Sequence, residues 1–410
     1  MENTSQSILL TGLGYQSASA KEELLKNVTA GQWSEVTELA NRHSVTPLLY
    51  HNIKSLNLSL PEDIAVELKE QFLKQAYRNT YLFSELGKIL HLLNEKDIPV
   101  IVLKGAYLAG AVYDNIGLRG MSDVDLLVKK DDLSRVEKEL LSQGAVPEAK
   151  DRLIAEHCPE FSYTTPEFGL RLDIHWALNP SKYNCLAEVD GLWSRSRSVL
   201  VQQFPARALS PEDLLLHLCM HTAKHAHDMQ FRMLYDIAEV LRCHADELDW
   251  GVIDDRAREW GILRAVYIFL SLAKEFLAAD LTGEKLDKLC PEQLDESKMV
   301  LARRQFSNTG ASNNIFRQSQ PVAQLWGIKG LAGKMAFIRK RFPLSHEIKF
   351  QNDADAHPWR IYLYYPRRLK YIIKKHGAAM WSLLGGNKES RAAAEEVNEI
   401  NALRDWLMSG

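Results

Sequence analysis

The sequence has 410 residues, more than a single hydrophobic core usually holds, so two or more domains are expected. With 46% apolar and 25% charged residues the composition is that of a folded globular chain, and full disorder is excluded. A net charge of −3 excludes nucleic-acid binding by overall charge and leaves only a local patch for it.

The chain opens Met1-Glu2-Asn3-Thr4-Ser5, with neither a basic nor an apolar leader. From about residue 20 to 96 the apolar period is helical. One stripe runs Leu24, Val28, Trp33, Val36, Leu39 and Ala40, and a second runs Leu68, Phe72, Tyr77, Leu82, Leu86, Leu90 and Leu93. Residues 98–103 then form a short β-branched run with Pro99 at its start, which reads as a buried strand ending at Lys104-Gly105. Ala106 to Tyr113 suits a short helix, Val124 to Val128 a second strand, and Leu133 to Gln143 a helix closed by Gly144. Phe161 to Thr165 and Leu170 to Trp176 read as an antiparallel pair.

After Pro180 helices return. Ser210 can cap a helix that has Pro211 at its first position and Asp213 to close a capping box, and a further helix runs from Phe231 to Cys243. The apolar stretch Ala265 to Ala279 is interrupted by Ser271, Lys274 and Glu275 and is too short to span a bilayer, so it reads as a buried helix and no transmembrane segment is expected. From Lys329 to His376 twelve Lys/Arg stand against three acids, interleaved with aromatic residues, and 387–405 suits a terminal helix. The cysteines Cys158, Cys185, Cys219, Cys243 and Cys290 contain no Cys-x-x-Cys, which speaks against a disulfide framework or a Cys-rich zinc site and fits a cytoplasmic setting. The expected fold is α+β, a small mixed sheet flanked by large helical regions. Its expected divisions are a helical region (1–96), an α/β core (97–180), a helical domain (181–310) and a basic, aromatic-rich C-terminal region (311–410).

The chemistry centres on Asp123-Val124-Asp125. Side chains alternate on a strand, so these two carboxylates share a face. Left alone they repel and one takes up a proton, so removing one is expected to hold or slightly raise stability. A divalent cation resolves the conflict, and Mg²⁺ favours one or two carboxylates together with substrate phosphates. A third carboxylate, Asp173, alternates with apolar residues in Leu170-Arg171-Leu172-Asp173-Ile174-His175-Trp176. If its strand lies beside the first, three carboxylates converge in the arrangement that a two-metal phosphoryl or nucleotidyl transfer needs. A bare Asp-x-Asp is more often a pair of solvated acids. Here it opens a strand, and the Lys104-Gly105 turn lies 18 residues before Asp123. Glycine permits close backbone approach, the ammonium can hold a phosphate, and Arg119 offers a second cation.

The series Leu103-Lys104-Gly105-Ala106, Tyr113, Arg119, Ser122-Asp123-Val124-Asp125-Leu126-Leu127-Val128 and Leu172-Asp173-Ile174-His175-Trp176 resembles an uncharacterised bacterial family of nucleotidyltransferases in the DNA polymerase beta-type superfamily. The likeness covers roughly residues 30 to 260. It implies Asp123, Asp125 and Asp173 as catalytic metal ligands for two Mg²⁺ ions, or Mn²⁺ in their place. Lys104, Gly105, Arg119, Ser122 and His175 are then the nucleotide-binding residues. The superfamily usually carries Gly-Ser at the first turn, whereas this chain has Lys104-Gly105-Ala106, with a charge in place of the hydroxyl contact.

His217, His221 and His225 recur at every fourth residue on one helical face, followed by Arg232 and Asp236. A zinc site there lacks a further ligand and the His-Glu-x-x-His signature. The other readings are a helix that lends His221, His225 and Arg232 to the cleft, or a structural helix with Arg232 and Asp236 paired. The expected activity is transfer of a nucleoside monophosphate from an NTP, ATP among them, to an acceptor hydroxyl on a small molecule, sugar or peptide natural product. Pyrophosphate is the other product. Two alternatives stand beside it: a toxin-like enzyme modifying tRNA through the basic C-terminal region, and a non-catalytic NTP-binding scaffold.

Overall fold

The structure is a computed structural model, and it describes residues 4–56, 58–148, 160–167, 169–178, 189–307, 319–341, 370, 373, 374, 376–383 and 388–409. Five helices come first: α1 (Ser5–Leu13), α2 (Ala18–Leu25), α3 (Ala30–Arg42), α4 (Thr46–Ser55) and α5 (Glu62–Glu95). Local chemistry sets their starts. Thr4, Ser17 and Thr29 cap the first three through their hydroxyls, Thr29 with Gln32 as a capping box, and Pro47 sits in the first turn of α4. The face that α5 buries differs from the stripe of apolar residues. Leu68, Leu82, Leu86 and Leu93 are inside as expected, but Tyr77 is 65% exposed and Asn79 is fully buried.

The sheet has seven strands among the described residues: β1 (Ile101–Val102), β2 (Asp123–Leu127), β3 (Val146–Pro147), β4 (Glu160–Thr164), β5 (Arg171–His175), β6 (Arg197–Val201) and β7 (Phe204–Ala208). Their order is β3-β4-β5-β2-β1-β7-β6. Strand β2 pairs parallel with β5 and antiparallel with β1, and β1 pairs parallel with β7. The expected strand over 98–103 narrows to two residues, because Pro99 has no amide to give to a ladder. Its flanks stay tied: Leu103 N donates to Asp125 O at 3.0 Å and Arg207 N to Val100 O at 3.1 Å. The expected helix over Ala106–Tyr113 becomes α6 (Lys104–Tyr107) followed by a π-helical turn (Leu108–Val112). Helix α7 (Leu133–Ser142) ends with Gly144 at φ +79°, the left-handed position that favours glycine.

Helix α8 (Val189–Arg195) precedes β6. After β7 come α9 (Pro211–Lys224), α10 (Phe231–Cys243), α11 (Trp250–Glu259), α12 (Leu263–Leu277), α13 (Gly283–Lys288) and α14 (Glu296–Ser307). Ser210 caps α9 as expected, accepting from Asp213 N. Asp213 itself closes no capping box. Its fully buried carboxylate is taken by Arg195 at 2.9 Å and Arg256 at 3.0 Å, charged partners that a local motif cannot foresee. Helix α12 is the buried apolar helix, and among the described residues no helix is long and apolar enough to cross a membrane.

The chain divides into two compact units, one of residues 1–148, 157–307 and 406–410, which contains the sheet, and one of residues 149–156 and 308–405. The second contains α15 (Gln320–Gly327), α16 (Leu331–Arg341) and most of α17 (Lys388–Leu407). Val322, Ala323, Ala379, Leu383, Ala394 and Val397 form its small core, and Asn398 Nδ2 donates to Ala323 O at 2.8 Å. Most of the basic segment from Lys329 to His376 lies outside the described residues, and with it the nucleic-acid contact that its composition suggested.

Candidate active site

The parallel register of β2 and β5 sets Asp125 opposite Asp173, Asp123 opposite Arg171 and Leu127 opposite His175. Strand alternation then brings Asp123, Asp125, Asp173 and His175 to one face of the sheet. Asp125 Oδ1 accepts from Lys104 Nζ at 2.9 Å and lies 2.7 Å from His175 Nε2. Burial favours the neutral acid, but Lys104 and His175 outweigh it and hold Asp125 well below the usual carboxylate range. The repulsion expected between Asp123 and Asp125 is therefore met by the Lys104 ammonium and the His175 contact instead of by a proton on Asp125. Asp173 Oδ1 accepts from Arg171 Nε at 3.2 Å. Asp123 opens β2, is less buried, and accepts from Ser122 Oγ at 3.0 Å.

Among the described residues no three His, Cys, Asp or Glu side chains are gathered tightly enough to hold a metal ion as they stand. The donor chemistry nevertheless suits a divalent cation. The oxygens are hard, Asp125 is held ionised, and an ammonium and a guanidinium stand at Asp125 and Asp173 where a cation would compete with them.

Lys104 sits at the β1–α6 junction with φ +40°, in the left-handed region that favours glycine. A residue with a Cβ is strained there by about 1–2 kcal/mol. Next to it, a Cβ on Gly105 would meet Arg119 Nη1 at 3.1 Å and Met121 Cγ at 3.3 Å, so this glycine lets the 116–122 loop close over the turn.

The structure does not leave Arg119 as a free cation. Its Nη2 donates to Asp236 Oδ2 at 2.8 Å and its Nε to Oδ1 at 3.1 Å, while Tyr113 OH donates to the same Oδ1 at 2.8 Å. Burial disfavours the Arg119 charge, yet Asp236 more than restores it. Asp236 is thus Arg119's partner, not Arg232's as the i, i+4 spacing suggested.

The loop also hangs on Asn79, whose Nδ2 donates to Ile116 O at 2.5 Å and Arg119 O at 2.8 Å, with Gln75 Nε2 donating to Asn79 Oδ1 at 2.8 Å. This residue was missed by sequence reasoning. The available signal was a polar residue three before Leu82 on the buried stripe of α5. Asn79→Leu should take the donor from the buried Arg119 carbonyl and the part-buried Ile116 carbonyl and lower the unfolding free energy in urea by about 2 kcal/mol or more. A loss within about 0.5 kcal/mol, the range of ordinary surface changes, would show that the loop is held by other means.

His217 and His221 on α9 lie with ring centroids 6.5 Å apart, and His221 and His225 4.4 Å apart. Burial, and after it the Lys104 charge, holds His217 and His221 well below the usual imidazole value, so both are neutral at pH 7. His217 Nδ1 is buried without a partner, and His225 is exposed at the end of the helix. A cavity of about 490 Å³ between α5, β6 and β7 is lined by none of these residues.

A family model described as an uncharacterised nucleotidyltransferase matches residues 29–278, more than half of the chain. The enzyme is thereby a nucleotidyltransferase, and the chain belongs to that uncharacterised nucleotidyltransferase family. No curated protein matches it. Two solved structures of ANT(2'')-Ia are similar at 15% identity and a TM-score of 0.32. One is a solution structure of this antibiotic-resistance factor, covering 49% of this chain and 95% of that one. The other is a crystal structure in complex with adenylyl-2''-tobramycin, covering 43% and 95%.

Proposed function

We propose that the protein transfers a nucleoside monophosphate from an NTP to an acceptor hydroxyl, releases pyrophosphate, and depends on a divalent metal, Mg²⁺ or Mn²⁺. The observation that carries this reading is the β2–β5 register, with Asp125 opposite Asp173 and Asp123 two residues away on the same face. Asp123, Asp125 and Asp173 would hold the metal, which when bound shields the triphosphate and acidifies the acceptor hydroxyl. Asp173 takes the acceptor's proton. Lys104 keeps an ammonium beside the carboxylates, where it neutralises the outer phosphates of the NTP, and Gly105 allows the backbone to approach them. His175 orients Asp125 through their 2.7 Å contact. Arg119 and Ser122 are positioning residues, because they fix the loop that leads into Asp123. The acceptor is a small molecule, a sugar or a peptide natural product.

The test is incubation with NTPs labelled at the α-phosphate, Mg²⁺ or Mn²⁺, and a cell extract separated into RNA, protein and small molecules. Label should move into the small-molecule fraction with release of pyrophosphate. Label in RNA would identify an RNA acceptor instead, and no NTP consumption with any fraction would overturn the reading. Within it, Asp173→Asn should lower kcat about a hundredfold or more. NTP affinity by calorimetry should stay within a few-fold, because Asp173 serves the nucleophile side; equal losses in both would contradict its role.

A further inference from the structure

Beside the carboxylates lies a cavity of about 310 Å³, lined in part by Asn41, Thr46, Gln75, Ser122 and Arg232. Ser122 joins it to the candidate site, since the next residue is Asp123. Its volume is at the lower end for small-ligand cavities, and its wall carries hydroxyls, amides and one arginine but no acid. Arg232 lies in the first turn of α10. Among the described residues no carboxylate lies within ion-pair distance of its guanidinium. Its Nε is buried without a partner, and its Nη2 lies 3.5 Å from Gln230 Oε1. The carboxylate one turn on, Asp236, is used by Arg119 and Tyr113. Two arginines therefore face one aspartate. The Arg119 charge, and after it burial, lowers the Arg232 pKa to about 10, still ionised at pH 7. Asp236 and Asp123 act on the Arg232 charge only from beyond contact, and a buried guanidinium with an unused edge matches two oxygens of an anion.

We infer that this cavity is an oxyanion subsite in which Arg232 binds a phosphate or carboxylate group of a substrate. The source of that group rests on the transferase reading: it is either the outer phosphates of the NTP or an acidic group carried by the acceptor. The subsite itself does not depend on that reading.

The probe is inorganic phosphate, titrated by calorimetry into the full-length protein, Arg232→Gln, Arg232→Lys and Asp123→Asn. Wild type should bind phosphate saturably. Arg232→Gln should weaken it about tenfold to a hundredfold, the range for a hydrogen bond to a charged group, and Arg232→Lys should recover part. Arg232→Gln relieves repulsion with Arg119 and should melt no lower than wild type, so a loss of binding is not a loss of fold. Asp123→Asn should bind phosphate no more weakly than wild type, because it takes away a negative charge that acts on Arg232, and a loss of binding there would place the phosphate on the carboxylates' metal site and overturn the subsite. Repeating the titration with a saturating non-hydrolysable NTP analogue distinguishes the sources. Loss of phosphate binding assigns the subsite to the nucleotide, and its retention assigns it to the acceptor. Absence of saturable binding in wild type, or equal binding in Arg232→Gln, would overturn the subsite and leave the transferase reading standing.

Discussion

Asp125→Asn is expected to lose about a hundredfold or more in NTP turnover and also to destabilise the fold, whereas Asp123→Asn loses the turnover alone. Both residues lie on one face of β2, so removing either spoils the same proposed metal site. Their surroundings differ. The side chains of Asp125 and Lys104 are only 11% and 16% exposed, and His175 closes on the same oxygen. Breaking a buried pair leaves the other charge uncompensated, a cost of about 3–5 kcal/mol in buried sites. Asp123 has Ser122 as its hydrogen-bond donor and is less buried, so its neutral variant should unfold within about 0.5 kcal/mol of wild type, the range of ordinary surface changes. This outcome differs from the hold or rise in stability that carboxylate repulsion alone would give, because Lys104 already neutralises Asp125 and His175 closes on the same oxygen. The pH dependence carries the same signature. Asp125 has a lowered carboxyl pKa in the folded state, so its contribution is present above the unfolded carboxyl value of about 4. It is lost as pH falls through the lower folded value. The stability gap between wild type and Asp125→Asn should therefore persist at neutral pH and close only in acid. Equal stability losses in the two variants, or near-wild-type turnover in either with saturating Mg²⁺, would remove the basis of the assignment.

What could be read in advance follows from how far apart the interacting residues lie in the chain. Strand alternation is local, so the shared face of Asp123 and Asp125 and the placement of Asp173 between apolar neighbours were legible. So were the cap at Ser210 and the C-terminal Gly144, because each depends on residues within one turn. Pairings across the fold were not. Arg119 meets Asp236 from 117 residues away, and the nearer candidate, Arg232, makes no ion-pair contact among the described residues. Asp213 is claimed by Arg195 and Arg256 instead of serving its own helix start. Apolar periodicity does not mark Asn79, whose burial follows from the carbonyls that it satisfies. The strain at Lys104 is invisible in a sequence that shows only a charged residue before a glycine.

That strain separates two properties of Lys104 in an experiment. Lys104→Ala removes the ammonium and keeps a Cβ at φ +40°, whereas Lys104→Gly removes the ammonium and the strain together. Both variants lose the 2.9 Å contact with Asp125, but Lys104→Gly should be the more stable by about 1 kcal/mol in urea unfolding. Their nucleotide binding should be alike. If the ammonium neutralises the outer phosphates, both weaken NTP binding about tenfold to a hundredfold and NMP binding hardly at all. Lys104→Arg should recover only part, because a planar fork does not replace a point charge. Divalent-cation affinity of the nucleotide-free protein should move the other way, since Lys104 and a cation compete for Asp125 Oδ1. His217 and His221 provide an internal check. The Lys104 charge adds to their lowered pKa values, so both should titrate higher in Lys104→Ala while staying below the usual imidazole value, because burial is the larger cause. A variant that gains metal affinity but keeps the wild-type preference for NTP over NMP would leave Lys104 as a partner of Asp125 alone and refute its contact with phosphate.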